Sequence, residues 1–293
     1  MNGELELPLA VGVDGSEPSL RALDWAADEA ALRGVPLRVV HASLWARFEE
    51  PSGEDEGDVS DELARTERLV SSAVDRAARR DPAPEVSAVT VPGDAVPALL
   101  DQSRNALAVV TGSRGRGGIR GLLLGSVSLE LAARADCPVV VVRGADPGPG
   151  THGRVTLGVG EEADSAAVRF AFQEAEARGC ALHALRAWRC PTHELGDLPL
   201  TEDHPALAHA REAQGLLDHA LGSWRHKSPG VEVCQEAVEG TARKVLLEAS
   251  SATDLLVIGA HRRQGHFGRQ LGMVGHTVLH HAACPVAVVP EHI

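Results

Sequence analysis

The 293-residue chain has no tyrosine, and with four Phe and four Trp its aromatics reach only 3%. A core without aromatic bulk has to be built from Val, Leu and Ala, which suits buried parallel strands covered by small-residue helices. Positive charge is also scarce: 28 Lys and Arg stand against 41 Asp and Glu, a net charge of −13. That balance excludes a broad nucleic-acid surface, because neutralising phosphates takes clustered Lys and Arg. No apolar run approaches the roughly 18 residues of a membrane-crossing helix. The opening MNGELELPLAVGV carries no basic stretch of the signal-peptide kind. Five cysteines (137, 180, 190, 234 and 284) form no CxxC pair, a pattern of reduced thiols in a reducing compartment. Cys137 and Cys284 each precede Pro-Val and read as small buried hydrophobes. Together these absences predict a cytoplasmic globular protein with neither nucleic acid nor membrane as partner.

What is present is a repeat. CPVVVV at 137–142 returns as CPVAVV at 284–289, 147 residues later. The same offset pairs Gly93 with Gly240, Gly112 with Gly259, Gly118 with Gly265 and Gly125 with Gly272. Near the start of each half it drifts to 145, as Gly34 and Gly179 show. An offset held over so long a stretch marks duplication of a whole domain. The run GADPGPG at 144–150 denies both helix and strand and reads as the linker. The expected domains are therefore residues 1–146 and 151–293.

Within the first half, short apolar strands are expected at 9–13, 37–42, 86–91, 107–111 and 139–142, with helices between them. Ser16 is placed to cap the first helix and Gly34 to end it. A polar helix is expected over 61–80, with Leu63, Val70, Ala73 and Ala77 recurring near helical spacing. Helices are also expected over 96–105 and 126–134, and the acidic stretch 49–60 reads as a surface loop. All-apolar strands alternating with helices predict two tandem doubly wound parallel five-stranded sheets, an α/β architecture. In such sheets ligands sit beyond the carboxyl ends of the strands, at the switch point.

The chemistry concentrates after the fourth strand, in GSRGRGGIRGLLLGSV at 112–127. Glycines let backbone N–H groups approach a ligand closely. A helix starting at Ser126 adds free N–H donors and a positive dipole end. Ser126 can offer a hydroxyl to a phosphate oxygen, and Arg114, Arg116 and Arg120 can set positive charge over the mouth. Asp14 closes the first strand and should lie beside this loop, where a carboxylate can accept hydrogen bonds from ribose hydroxyls.

The spacing Gly112-x2-Gly115-x9-Gly125-Ser126, with Asp14 after the first strand, resembles the universal stress protein family in its tandem-domain, ATP-binding form. The resemblance implies a Rossmann-like, adenine nucleotide alpha hydrolase-like fold and a role in stress response, dormancy or growth control. It implies ATP, with or without Mg2+, held at Asp14 and the glycine loop. Gly12 and Ala42 would face the adenine. Thr111, Gly112, Gly115, Gly125, Ser126 and Val127 would line the ribose and phosphates. In dimers of that family the fifth strands pair across a two-fold axis. Here residues 139–143 and 286–290 are expected to pair antiparallel within one chain as an internal pseudo-dimer, with further homodimerisation left open.

The second half departs from this pattern. Gly160-Glu161 stands where Asp14-Gly15 stands, Arg262 replaces Gly115, and Met273 replaces Ser126. That domain is expected to have a degenerate nucleotide site. It serves either as a structural partner or as a site for another anion at His261, Arg262 and Arg263. His276 and His280 share a helix face, but nothing in the sequence completes a metal-ligand set around them. The GxxxxGK[ST] loop of Walker-type NTPases is absent. No second acidic ligand accompanies Asp14, so any ATP hydrolysis should be slow. The residues leave ATP, ADP, AMP and a cyclic nucleotide unseparated. They also leave open a slow ATPase or nucleotide-dependent enzyme, and an interaction module whose sites are vestigial. The protein partner is unnamed by the sequence.

Overall fold

The structure, a computed structural model, describes residues 7–43, 56–115, 124–143, 150–160, 162, 165–191, 205–260, 263–265 and 268–291. The chain divides into two compact units, Met1–Arg143 with Gln264–Gln270, and Gly144–Arg263 with Leu271–Ile293.

The first unit runs β1 (Leu9–Gly12), α1 (Glu17–Arg33), β2 (Leu37–Ser43), α2 (Glu56–Ala78), β3 (Val86–Pro92), α3 (Ala95–Gln102), β4 (Ala108–Gly112), α4 (Ser126–Arg134) and β5 (Val139–Val142). Its strands lie in the order β3-β2-β1-β4-β5, every pairing parallel. The order reverses between β1 and β4, which opens a crevice at their carboxyl ends. The strands hold a parallel sheet because helices cover both faces. Ala10, Val11, Val109 and Val110 are fully buried. Each such Val contributes about 1.5–3 kcal/mol by leaving water.

Local signals set the helix ends. Ser16 is the N-cap of α1, its hydroxyl accepting from the Ser19 amide at 3.4 Å. Gly34 takes the left-handed conformation (φ 68°) after the last turn and donates to the Ala31 carbonyl. Helix α2 begins at Glu56, earlier than the expected 61, so the loop reading fails for 56–60. Residues 49–55 lie outside the described residues. Among the described side chains of α2, Thr66, Ala73 and Ala77 are buried, whereas Leu63 is 44% exposed.

The second unit repeats the plan with β6 (Arg154–Gly158), α5 (Ala166–Arg178), β7 (Ala181–Trp188), α6 (Pro205–Lys227), β8 (Val233–Glu239), α7 (Ala242–Ala249) and β9 (Leu255–Ala260). A short hairpin of β10 (Arg263–Gly265) and β11 (Gly268–Gln270) follows, then α8 (Met273–His281) and β12 (Val286–Pro290). The order is β12-β9-β6-β7-β8, again all parallel. Ser165 caps α5 and Gly179 (φ 58°) ends it, as in the first unit.

Candidate nucleotide site

At the switch point of the first unit lies a cleft of about 400 Å3. The structure gathers all nine residues expected from the sequence around it: Gly12, Asp14, Ala42, Thr111, Gly112, Gly115, Gly125, Ser126 and Val127. They arrive from four elements and the turns beside them. Gly12 and Asp14 come from the end of β1, Ala42 from β2, Thr111 and Gly112 from β4, and Ser126 and Val127 from the first turn of α4.

The turn after β1 is fixed by several hydrogen bonds. The Val13 amide donates to the Val40 carbonyl at 2.9 Å. The buried His41 ring contacts the Val13 carbonyl through Nδ1 at 2.8 Å. A carbonyl can only accept, so Nδ1 carries the proton. The Asp14 amide donates to Ser19 Oγ at 3.3 Å. Asp14 Oδ1 accepts from the Ser16 amide at 2.9 Å and the Ser16 hydroxyl at 2.6 Å. These bonds aim the other carboxylate oxygen at the glycine loop: a Cβ on Gly115 would stand 2.6 Å from Asp14 Oδ2. Glycine at 115 is therefore what lets the loop backbone lie against the carboxylate.

The other glycines do different work. A Cβ on Gly12 would stand 2.9 Å from Leu99 Cδ1, so glycine there admits the apolar wall from α3. A Cβ on Gly112 would stand 2.4 Å from the Pro18 carbonyl oxygen, so glycine there allows close helix-on-strand packing. Gly125 is the N-cap of α4 at φ −80°, and its amide donates to the Ser113 carbonyl at 2.8 Å.

Ser126 and Val127 open α4, where backbone amides lack helical acceptors and the dipole is positive. The Ser126 side chain is exposed, and Arg114 lines the same end. Arg116, Gly118, Arg120 and Gly121 lie outside the described residues. The lining also includes residues that the sequence did not single out. Val40 shares a strand face with Ala42, and that two-residue period could have revealed it. Ser19, Leu99 and Ser128 carried no local signal, since their partners are distant in sequence. The cleft thus has an apolar wall of Val13, Val40, Ala42 and Leu99, one carboxylate, and an amide-rich, positively polarised end.

The second unit keeps the fold of this region and changes its chemistry. A Cβ on Gly158 would stand 3.1 Å from Leu246 Cδ1, as one on Gly12 would crowd Leu99. Arg186 donates through Nη1 to the Val159 carbonyl at 3.3 Å and also to the Gly160 carbonyl. Met273, in place of Ser126, is 74% exposed. At Gly259 a Cβ would stand 2.8 Å from Glu291 Oε1. The buried Glu291 carboxylate accepts from the Ala166 amide at 2.8 Å and the Ala167 amide at 3.0 Å, and so occupies the N-terminus of α5. Glu161, His261 and Arg262 lie outside the described residues, and Arg263 is described only as part of β10. His276 and His280 stack with ring centroids 4.4 Å apart. Among the described residues no three His, Cys, Asp or Glu are grouped to hold a metal ion. None of the five cysteines is in a disulfide, and no described helix is long and apolar enough to cross a membrane.

Two tandem Rossmann-like sheets with this crevice define an adenine nucleotide alpha hydrolase-like protein. The family model of the universal stress protein family matches twice, at residues 8–143 and 152–290, and the chain belongs to that family. A universal stress protein of Mycobacterium tuberculosis is 34% identical over 313 residues, covering 100% of this chain and 99% of its own. Another from the same organism is 36% identical over 297 residues, covering 97% of each. The crystal structure of a universal stress protein from Archaeoglobus fulgidus superposes with a TM-score of 0.70 at 19% identity, covering 97% of this chain and 98% of that one.

Proposed function

We propose that the first unit binds ATP and that occupancy of this one site couples nucleotide supply to partner binding in stress response, dormancy or growth control. The carrying observation is that one cleft holds Asp14, the Gly115 backbone close against it, and the N-terminal end of α4. The apolar wall suits a base, Asp14 a ribose, and the α4 end with Arg114 a chain of phosphates. A Mg2+ ion fits as a companion, because Mg2+ is commonly held by one or two carboxylates together with substrate phosphates. Asp14 is the single carboxylate among the described lining residues. Turnover should be slow, since a fast hydrolase needs both an organised metal and a positioned water. The reduced thiols fit a cytoplasmic protein.

Calorimetric titration with ATP tests the reading, alongside mass spectrometry of ligand released from gently purified protein. Asp14→Ala and Gly115→Ala should each abolish binding. Unchanged affinity in both variants would remove the proposal.

A further inference from the structure

Two buried hydroxyls join the end of β4 to the first turn of α4. Ser128 Oγ donates to the Gly112 carbonyl at 2.7 Å, and Thr111 Oγ1 donates to Ser128 Oγ at 3.2 Å. Thr111 is 4% exposed and Ser128 3%. Ser128 is the third residue of α4, so its bond fastens to the strand the same turn whose first residues, Ser126 and Val127, line the cleft. A hydrogen-bonded pair of hydroxyls in a dry environment holds geometry more firmly than the same pair in water.

The second unit lacks both groups. At the shared offset Thr111 becomes Ile258 and Ser128 becomes Gly275. A Cβ on Gly275 would stand 2.9 Å from Leu271 Cγ, so that place is closed to a serine without movement. The unit that keeps Ser126 keeps the two hydroxyls beneath it, and the unit that has Met273 has neither.

We propose that Ser128, oriented by Thr111, is a positioning residue for phosphate. It sets the N-terminus of α4 at the depth where its amides meet the phosphate chain, its own hydroxyl proton being committed to the Gly112 carbonyl. This rests on the nucleotide reading of the first unit. The claim is confined to one end of the cleft, because the apolar wall is built from β1, β2 and α3, whereas the hydrogen bonds of Ser128 run to β4. Removing the hydroxyl should therefore weaken ligands in proportion to their phosphates and spare the nucleoside.

The test compares ATP with adenosine by calorimetry on wild type, Ser128→Ala, Ser128→Thr and Thr111→Val. Ser128→Ala should weaken ATP about five- to tenfold, the equivalent of one hydrogen bond, and leave adenosine within about twofold. Ser128→Thr, which keeps the hydroxyl, should restore ATP affinity. If Ser128→Ala fails to fold, the isosteric Thr111→Val carries the same comparison, with ATP weakened about two- to threefold. Equal loss of ATP and adenosine, or no loss of either, would overturn the positioning role while leaving the nucleotide reading intact. A wild-type protein that binds neither compound would overturn both.

Discussion

Gly112 and the Pro18 carbonyl oxygen lie so close that a methyl group on Gly112 would stand 2.4 Å from that oxygen. Both partners are backbone, on β4 and on the first turn of α1, so neither can yield as a flexible side chain would. The glycine joins the two elements whose ends form the cleft.

Gly112→Ala should accordingly destabilise the protein by about 1–3 kcal/mol, the usual range for overpacking, and towards its upper end. Gly259→Ala, at the repeated position, meets a side-chain carboxylate at 2.8 Å instead of backbone, and should cost less. Gly125→Ala brings its methyl no closer than 3.5 Å to Arg114 Cα and, losing only what glycine offers over alanine at an N-cap, should cost least of the three. Urea denaturation of the three variants gives the order. A Gly112→Ala protein as stable as wild type would contradict the packing argument.

How far the sequence could be read follows from these glycines. Strands, caps and the position of α4 were legible because they depend on local patterns: apolar runs, Ser16, Gly34 and the start at Ser126. The membership of the cleft was legible because strand order brings the ends of β1 and β4 together. The separate duties of Gly12, Gly112, Gly115 and Gly125 were not, since each depends on a neighbour far along the chain. The same holds for Ser19 and Ser128, and for Glu291, which enters the second unit's site from 32 residues beyond Gly259. The start of α2 was missed because acidic residues at a helix N-terminus resemble those of a loop.

Two ion pairs tie α1 to the end of α2 in parallel. Asp24 receives Arg76 through two bonds, at 2.8 and 2.6 Å, and four residues along Asp28 receives Arg80 in the same bidentate way, with Nε at 2.7 Å. The bond to Asp24 raises the Arg76 pKa above its ordinary value. The Arg76 side chain is 44% exposed, so water screens much of this. A double-mutant cycle of Asp24→Asn and Arg76→Gln should give a coupling of about 0.5–1 kcal/mol. The coupling should shrink in about 1 M salt, where the screening length is a few ångströms.

Acid should weaken the second unit through His183. Burial of its ring, and then the charge of Arg154, hold its pKa below the ordinary value, although Glu236 lies 3.6 Å away and opposes the shift. As pH falls past about 6.5 the unfolded chain takes up the proton first. The contribution of neutral His183 is therefore complete above that pH and declines below it. Urea midpoints measured between pH 7.5 and 5.5 should fall, and His183→Gln should remove part of that slope. An unchanged slope in the variant would assign it to other groups.

Glu291 should matter more than an exposed acid near a chain end. Glu291→Ala strips two amide partners at the N-terminus of α5 and should cost about 1–2 kcal/mol by the measure of helix capping. Glu291→Gln keeps one good acceptor and should cost less. Thermal melting of both variants orders them. No loss in either would mean that water replaces the carboxylate freely.

The carbonyl that follows the first strand of each repeat is held by a donor from the neighbouring strand: His41 in one half and Arg186 in the other. Imidazole and guanidinium have little in common beyond an N–H in the right place. That contact persists where Asp14, Gly115 and Ser126 have been replaced, so it answers to folding. A comparison of relatives that scored this position as evidence of nucleotide binding would be counting the scaffold. The close approach of Asp14 to Gly115 is, by contrast, a feature of the first repeat, since Arg262 stands at the position of Gly115 in the second.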